Sequence, residues 1–318
     1  MHFVPSSWLA GAVCALVLAS ATMPVNAQDQ PAIRVGASTD DAVRPLLYAL
    51  QGGVFKKYGL NVEIVKLQNG AAVAAAVAGG SIDMGKGSTL TEVLAHAKGL
   101  PFVVTWNLDN YSSTAPNVAM LVRNDSPLKS VKDLAGKTIG VIGLQDLNTL
   151  TIYALLDQNG VDPATVKFIE VPNSASIAAL EQGRIDATVA LEPTYTTAMS
   201  TNEFRVLAYP WTALAKKFSD AVLFSTTDWV AAHKDVLVKF NRAMREAAAY
   251  VAAHEDETKP LAAQFAGFDP ATLQNFHPGQ RALSLGPADL QPTIDLAARF
   301  KLIPKVFPAG DIICDCGH

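Results

Sequence analysis

From Ile33 onward, short runs of β-branched residues alternate with longer stretches in which apolar positions recur at helical spacing. That alternation predicts parallel βαβ construction. Residues 33–37 read as a strand, Ser38-Thr39-Asp40-Asp41 as a polar loop, and the stretch to about Tyr58 as one helix closed by Gly59. Strands at 62–65, 82–84 and 102–106 then alternate with helices at 71–78 and 89–97. A second set follows, with strands at 138–142, 166–171, 185–190 and 205–209 and helices at 147–158 and 174–181. From Trp229 the pattern is mainly helical, with apolar positions at Val236, Phe240, Met244, Ala247 and Ala248.

The two sets echo each other. A helix running into Gly80-Ser81-Ile82-Asp83 in the first is matched by a helix running into Gly183-Arg184-Ile185-Asp186 in the second. In each the Gly ends a helix and the Ile opens a strand. Two β-type runs, 117–123 and 221–226, flank the second set, as a hinge between two lobes requires. The expected division is a first lobe of residues 32–120 plus 222–318 and a second of 121–221, with the helical C-terminal part packed on the first.

Composition narrows the class. The first 27 residues carry no Asp, Glu, Lys or Arg and are almost purely apolar from Trp8 to Ala19. A membrane span needs about 20 apolar residues, so this shorter run reads as a signal peptide, residues 1–27, cleaved after Val25-Asn26-Ala27. Export to the periplasm is the corresponding expectation. The formal net charge of −4 offers no basic surplus for a phosphate backbone, which argues against nucleic acid as a partner. Beyond the leader only Cys314 and Cys316 remain, so no disulfide framework holds the fold. With the terminal His318 they could bind a soft metal, but a mobile terminus without function, its thiols oxidised or free, is the expectation, and no metal or cofactor is assigned.

Four stretches resemble a known family. They are LYALQGGVFKKYGLNV at 47–62, AVAGGSID at 76–83, SVKDLAGKTIGV at 130–141 and LEQGRID at 180–186. In this order they resemble the nitrate/sulfonate/taurine and thiamine-precursor (NMT1/THI5-like) substrate-binding proteins of ABC transporters. The resemblance implies the type II periplasmic binding fold: an α/β chain in two βαβ lobes, joined by two crossing hinge segments, that close on a small-molecule ligand. It further implies an ABC permease as partner and a monomer.

In sheets of this kind ligands bind beyond the carboxyl ends of the strands, where loops feed helix N-termini. The candidate loops in the first lobe hold Ser38, Thr39 and Asp41, Asn69 and Gly70, and Lys86, Ser88 and Thr89. Their hydroxyls and amides suit carboxylate, sulfonate or amide oxygens, and they suit helix N-caps equally well. Lys86 interrupts a loop of small residues where it could neutralise an anion, and Arg44 is a second candidate cation. Tyr111 could stack on a planar ligand, whereas Trp106 reads as core. In the second lobe Asn148 and Thr149 open a helix, and Glu192 and Tyr195 flank the loop after the 185–190 strand. Glu192 could accept from a ligand N–H or serve its helix dipole.

Relatives implied by the resemblance include a sulfinate hydrolase with a nucleophilic Cys and a pyrimidine synthase with His and Cys clusters. Here His96, His233, His254 and His277 are scattered, and no Gly-x-Ser-x-Gly, phosphate-loop or dinucleotide motif occurs. The expectation is therefore a binder of a small organic anion that catalyses no reaction. An enzyme on the same fold, or a sensor for a signalling partner, is the alternative.

Overall fold

The computed structural model describes residues 1–2, 31–273 and 275–316. Apart from its first two residues, the expected signal peptide lies outside them. The described chain builds two sheets. The first contains β1 (Ile33–Ala37), β2 (Val62–Lys66), β3 (Met84–Ser88), β4 (Phe102–Ser112), β10 (Lys217–Thr226) and β11 (Gln280–Arg281). The second contains β5 (Val118–Arg123), β6 (Thr138–Val141), β7 (Lys167–Glu170), β8 (Ala187–Leu191) and β9 (Phe204–Ala208). Their spatial orders are β11-β4-β10-β3-β1-β2 and β7-β6-β8-β5-β9.

Each sheet has the same plan. Three parallel strands, β2-β1-β3 in one and β7-β6-β8 in the other, meet an antiparallel strand that follows a crossing of the chain, β10 or β5. The repeated Gly-x-Ile-Asp explains the likeness physically. Gly80 and Gly183 both adopt left-handed backbone, with φ of 69° and 66°. The Asp83 carboxylate accepts from Arg34 N–H at 2.7 Å, and Asp186 likewise from Thr138 N–H at 2.8 Å. Ile82 and Ile185 press against Gly36 and Gly140, where an added Cβ would collide with each isoleucine's Cδ1.

Several expectations need correction. The β-type runs 117–123 and 221–226 do form strands, but they lie inside the sheets, with the chain crossings beside them: β5 pairs with β8 and β9, and β10 with β3 and β4. Continuous ladders therefore place 118–120 in the second sheet and 217–221 in the first, and the chain crosses at 113–117 and 209–216. The helix expected to reach Tyr58 breaks into α1 (Arg44–Gln51) and α2 (Val54–Lys57), because Gly53 turns left-handed at φ 74°. The strand expected at 82–84 begins at Met84, and the supposed loop 86–88 is its remainder, hydrogen-bonded to β10. Gly85 makes this pairing possible, since a Cβ there would come within 2.6 Å of the Phe224 ring. The strand expected to stop at Trp106 runs on to Ser112 against β10.

Of the C-terminal helices, α9 (Lys234–Ala253) buries Leu237, Phe240, Met244, Ala247 and Val251 along one stripe. It packs on the first lobe, with Phe240 stacked on Phe55 at 5.0 Å and Tyr250 on Tyr48 at 4.2 Å. The later helix α11 (Pro287–Arg299) does more than expected. Its Leu290, Ile294 and Ala297 share one core with α4 (Thr89–Ala97) of the first lobe and α5 (Leu147–Gln158) of the second. The terminus expected to be mobile is tied down as far as the described residues run, since Ile313 bridges Val104 and Cys314 N–H donates to Val104 O at 2.9 Å; of the two thiol states expected, the oxidised one is present, as a Cys314–Cys316 disulfide.

Candidate functional site

The carboxyl ends of β1, β3, β6 and β8 point into the gap between the sheets, and a cavity of about 50 Å³ lies there. The first lobe lines it with Ser38, Asp40, Lys86 and Asp220, and the second with Ile142, Asp146, Asn148, Leu191 and Trp211. It adjoins a hollow of about 230 Å³ that shares Ser38, Asp40 and Ile142 and adds Thr39, Gln68 and Asn173.

On the first-lobe wall, Asp40 caps a short 3₁₀ turn, its Oδ1 accepting from Ala42 N–H at 3.2 Å. Its Oδ2 accepts from Ser38 Oγ at 3.0 Å and from the Lys86 ammonium, which also donates to Ser38 Oγ at 3.1 Å. Lys86 is 4% exposed, so its charge is spent on a buried pair with Asp40. Asp220 stands beside them in β10. A register shift between Ser219 and Ala221 leaves it out of the ladder with β4, the kind of bulge that re-aims a side chain. Its Oδ1 is buried with no hydrogen-bond partner among the described residues. Burial first, then the Asp40 charge, pushes the Asp220 carboxyl up to about 7 against the pull of Arg281 and Lys86.

On the second-lobe wall, Asp146 caps α5, its Oδ1 accepting from Asn148 N–H at 2.8 Å and from Asn148 Nδ2 at 2.7 Å. Enclosure pushes its carboxyl up to about 6. Asn148 Oδ1 in turn accepts from Trp211 Nε1 at 2.9 Å, which fixes the indole as part of the wall. Thus the lining holds three carboxyls and one ammonium, and the ammonium is already paired.

The sequence-derived candidates divide. Ser38, Gly70, Lys86, Ser88 and Asn148 line the cavity, and Thr39 the adjoining hollow. Asn69 caps α3 (Gly70–Ala78), accepting from Ala72 N–H at 2.9 Å. Thr149 donates to Gly143 O at 2.8 Å, and Thr89 to Ser219 O at 2.5 Å. Tyr111 is fully buried behind Trp211, its ring edge-on at 5.5 Å, so it backs the wall without reaching the cavity. Asp41 and Arg44 belong to a separate buried network. Arg44 meets Asp41 Oδ1 at 2.9 Å and Glu255 Oε2 at 2.6 Å, while Arg281 pairs with Asp41 and lies 3.7 Å from Asp109. Burial alone would raise the Asp41 carboxyl, but Arg281 and Arg44 hold it below its ordinary value.

Glu192 and Tyr195 serve the contact between lobes. The Glu192 carboxylate accepts from Thr196 N–H at 3.1 Å, Thr196 Oγ1 at 2.7 Å and His277 N–H at 3.1 Å, and Tyr195 stacks on the His277 ring at 5.1 Å. Asp41 N–H donates to Glu192 O at 3.0 Å. His277 precedes β11 in the first sheet, so these bonds tie the two lobes at one edge of the cleft. Asp40, Asp146, Asp220 and Trp211 escaped the sequence reading. The first two lay in loops that had been singled out, whereas the bulge presenting Asp220 left no mark in the sequence pattern.

Fold and cleft together define a two-lobed α/β protein with the periplasmic binding fold. The NMT1/THI5 like family model matches residues 41–258, and the chain belongs to that family. An alkanesulfonate-binding protein from Xanthomonas axonopodis pv. citri, solved with MOPS bound, superposes with a TM-score of 0.75 at 20% identity, covering 90% of this chain and 99% of that one. The aliphatic sulphonate binding protein of Escherichia coli gives 0.71 at 21% identity, covering 90% and 98%. In sequence, the formylaminopyrimidine-binding protein of Halalkalibacterium halodurans is 26% identical over 68% of this chain and 65% of its own length. A 4-amino-5-hydroxymethyl-2-methylpyrimidine phosphate synthase of Schizosaccharomyces pombe is 24% identical over 46% of this chain and 41% of its own. The chain therefore spans less than two thirds of the length of these two sequence relatives.

Proposed function

We propose that the protein is the solute-binding component of an ABC importer, which captures a small molecule between its lobes and releases it unchanged. The observation that carries this reading is the cavity lined by side chains of both sheets at the carboxyl ends of their parallel strands. A ligand that touches both walls favours the closed arrangement over the open one, and a permease can read that difference. Solved relatives named for binding sulfonates share the fold, and the uncharged apolar leader supports a periplasmic location. Among the described residues no helix is long and apolar enough to cross a membrane.

Relatives named as synthases supply the competing reading. Among the described residues the cavity lining carries neither His nor Cys, which favours capture over the chemistry implied for a synthase. The test is a panel of alkanesulfonates, nitrate, formylaminopyrimidine and 4-amino-5-hydroxymethyl-2-methylpyrimidine against the chain from Gln28. A compound at a hundred times its Kd stabilises by about 2.7 kcal/mol, visible as a raised Tm. Mass spectrometry then recovers the compound intact. A bound compound that turns over, or no response across the panel, contradicts the proposal.

A further inference from the structure

We infer that Asp220 selects the ligand, and that it selects a neutral or cationic molecule bearing N–H donors, such as an amino-substituted heterocycle, over an anion. The inference rests on the cavity being the ligand site. It departs from the organic anion that the sequence suggested, and three independent features carry it.

The first is the orphaned oxygen. Asp220 is 6% exposed, lines the cavity, and its Oδ1 has no hydrogen-bond partner among the described residues. Buried polar atoms are nearly always satisfied, so an unsatisfied carboxylate oxygen beside a cavity marks a place where a donor belongs. The second is the bulge. A regular ladder across Ser219-Asp220-Ala221 would keep the carboxyl in register with β4, and the shift there aims it into the cleft. The third is charge. Lys86 is the cation of the lining and is already bound by Asp40 and Ser38, whereas Asp146 adds a further carboxyl from the opposite lobe. Once Asp220 is ionised, above about pH 7, an arriving sulfonate or carboxylate would meet carboxylates on both lobes with no unpaired cation among the described lining residues. A donor arriving between Asp220 and Asp146 would meet an acceptor on each lobe, which couples recognition to closure.

The groups acting on Asp220 fit this role. Burial and Asp40 raise its carboxyl, Arg281 and Lys86 lower it, and Asp109 lies alongside on β4. A donor ligand favours the ionised carboxylate, so capture should strengthen as pH rises from 6 to 8.

The test is calorimetric titration of the whole mature chain with formylaminopyrimidine and with ethanesulfonate, at pH 6 and pH 8. Wild type, Asp220→Asn and Asp146→Asn are compared, with circular dichroism to confirm folding. The expected result is binding of the pyrimidine, at least a tenfold loss in Asp220→Asn and a smaller loss in Asp146→Asn. The gain in affinity between pH 6 and pH 8 should shrink in Asp220→Asn. Asp220→Asn affinity within twofold of wild type, or wild type binding ethanesulfonate more tightly than the pyrimidine, overturns the inference and leaves capture in the cleft standing. Wild type binding neither probe also overturns it, and the wider panel then decides whether the solute-binding reading falls as well.

Discussion

Two neighbouring aspartates face two different buried clusters. Asp41 sits between Arg44 and Arg281, with Glu255 and Asp109 beyond, so two guanidinia hold three carboxyls away from the cavity. Asp40 looks the other way, to Lys86, Asp146 and Asp220, where one ammonium faces three carboxyls beside the cavity. Burial is comparable in the two, so burial does not separate scaffold from site. The balance of charge and the adjoining cavity do. The more nearly matched cluster fixes the loop after β1, whereas the other, with one cation for three carboxyls, holds acceptors beside open space.

The sharpest way to break this comparison is Arg281→Met. It strips Asp41 and Asp109 of a cation in a site closed to water, and a loss of about 3–5 kcal/mol is expected in urea denaturation. A loss below about 1 kcal/mol would mean that the matched cluster is not structural. Next in size is Lys86→Met, which leaves Asp40 buried without its cation and should cost about 3 kcal/mol. The double change Asp40→Asn with Lys86→Met should recover most of that loss, as measured by a double-mutant cycle. Failure to recover would assign Lys86 to something other than the pair.

Asp220→Asn should move stability in the opposite direction. Folded Asp220 keeps its proton to about pH 7, whereas in the unfolded chain it ionises near pH 4. Over that window the native state binds more protons, so stability falls as pH rises. Asp146, raised to about 6, acts in the same direction. Tm measured from pH 4 to pH 7.5 should therefore decline in wild type and decline less steeply in Asp220→Asn, with the variant the more stable at pH 7.5. The smallest effect is expected at the cleft edge. Glu192→Gln weakens the charge-assisted bond to His277 N–H by about 1 kcal/mol, and exchange of that amide should quicken by about fivefold.

Periodicity made the βαβ plan legible, because each parallel strand is a short apolar run and each helix carries its own stripe. The Gly-x-Ile-Asp repeat was legible for the same reason: a left-handed Gly and a carboxylate bonding the first strand recur at equivalent places. The site was harder to read. Ser38, Lys86 and Asn148 were found because strand ends draw attention to them, but their partners were not. The Lys86–Asp40 pair joins residues 46 positions apart, and Trp211 meets Asn148 across 63. Asp220 depends on a one-residue shift in an antiparallel ladder that no local pattern announces. Glu192 was read as a ligand acceptor or as an acid serving its own helix; its carboxylate bonds Thr196 in that helix and also His277, on the segment before β11. Long-range pairing decided which polar residues were spent on the fold and which were left over.

The most direct test of capture between the lobes is hydrogen exchange of the mature chain with and without saturating formylaminopyrimidine. Slowed exchange is expected together in residues 38–43 and 219–221 of the first lobe and in 142–149 and 191–196 of the second. Protection confined to one lobe, or centred on the apolar hollow between α3 and α4, would contradict it.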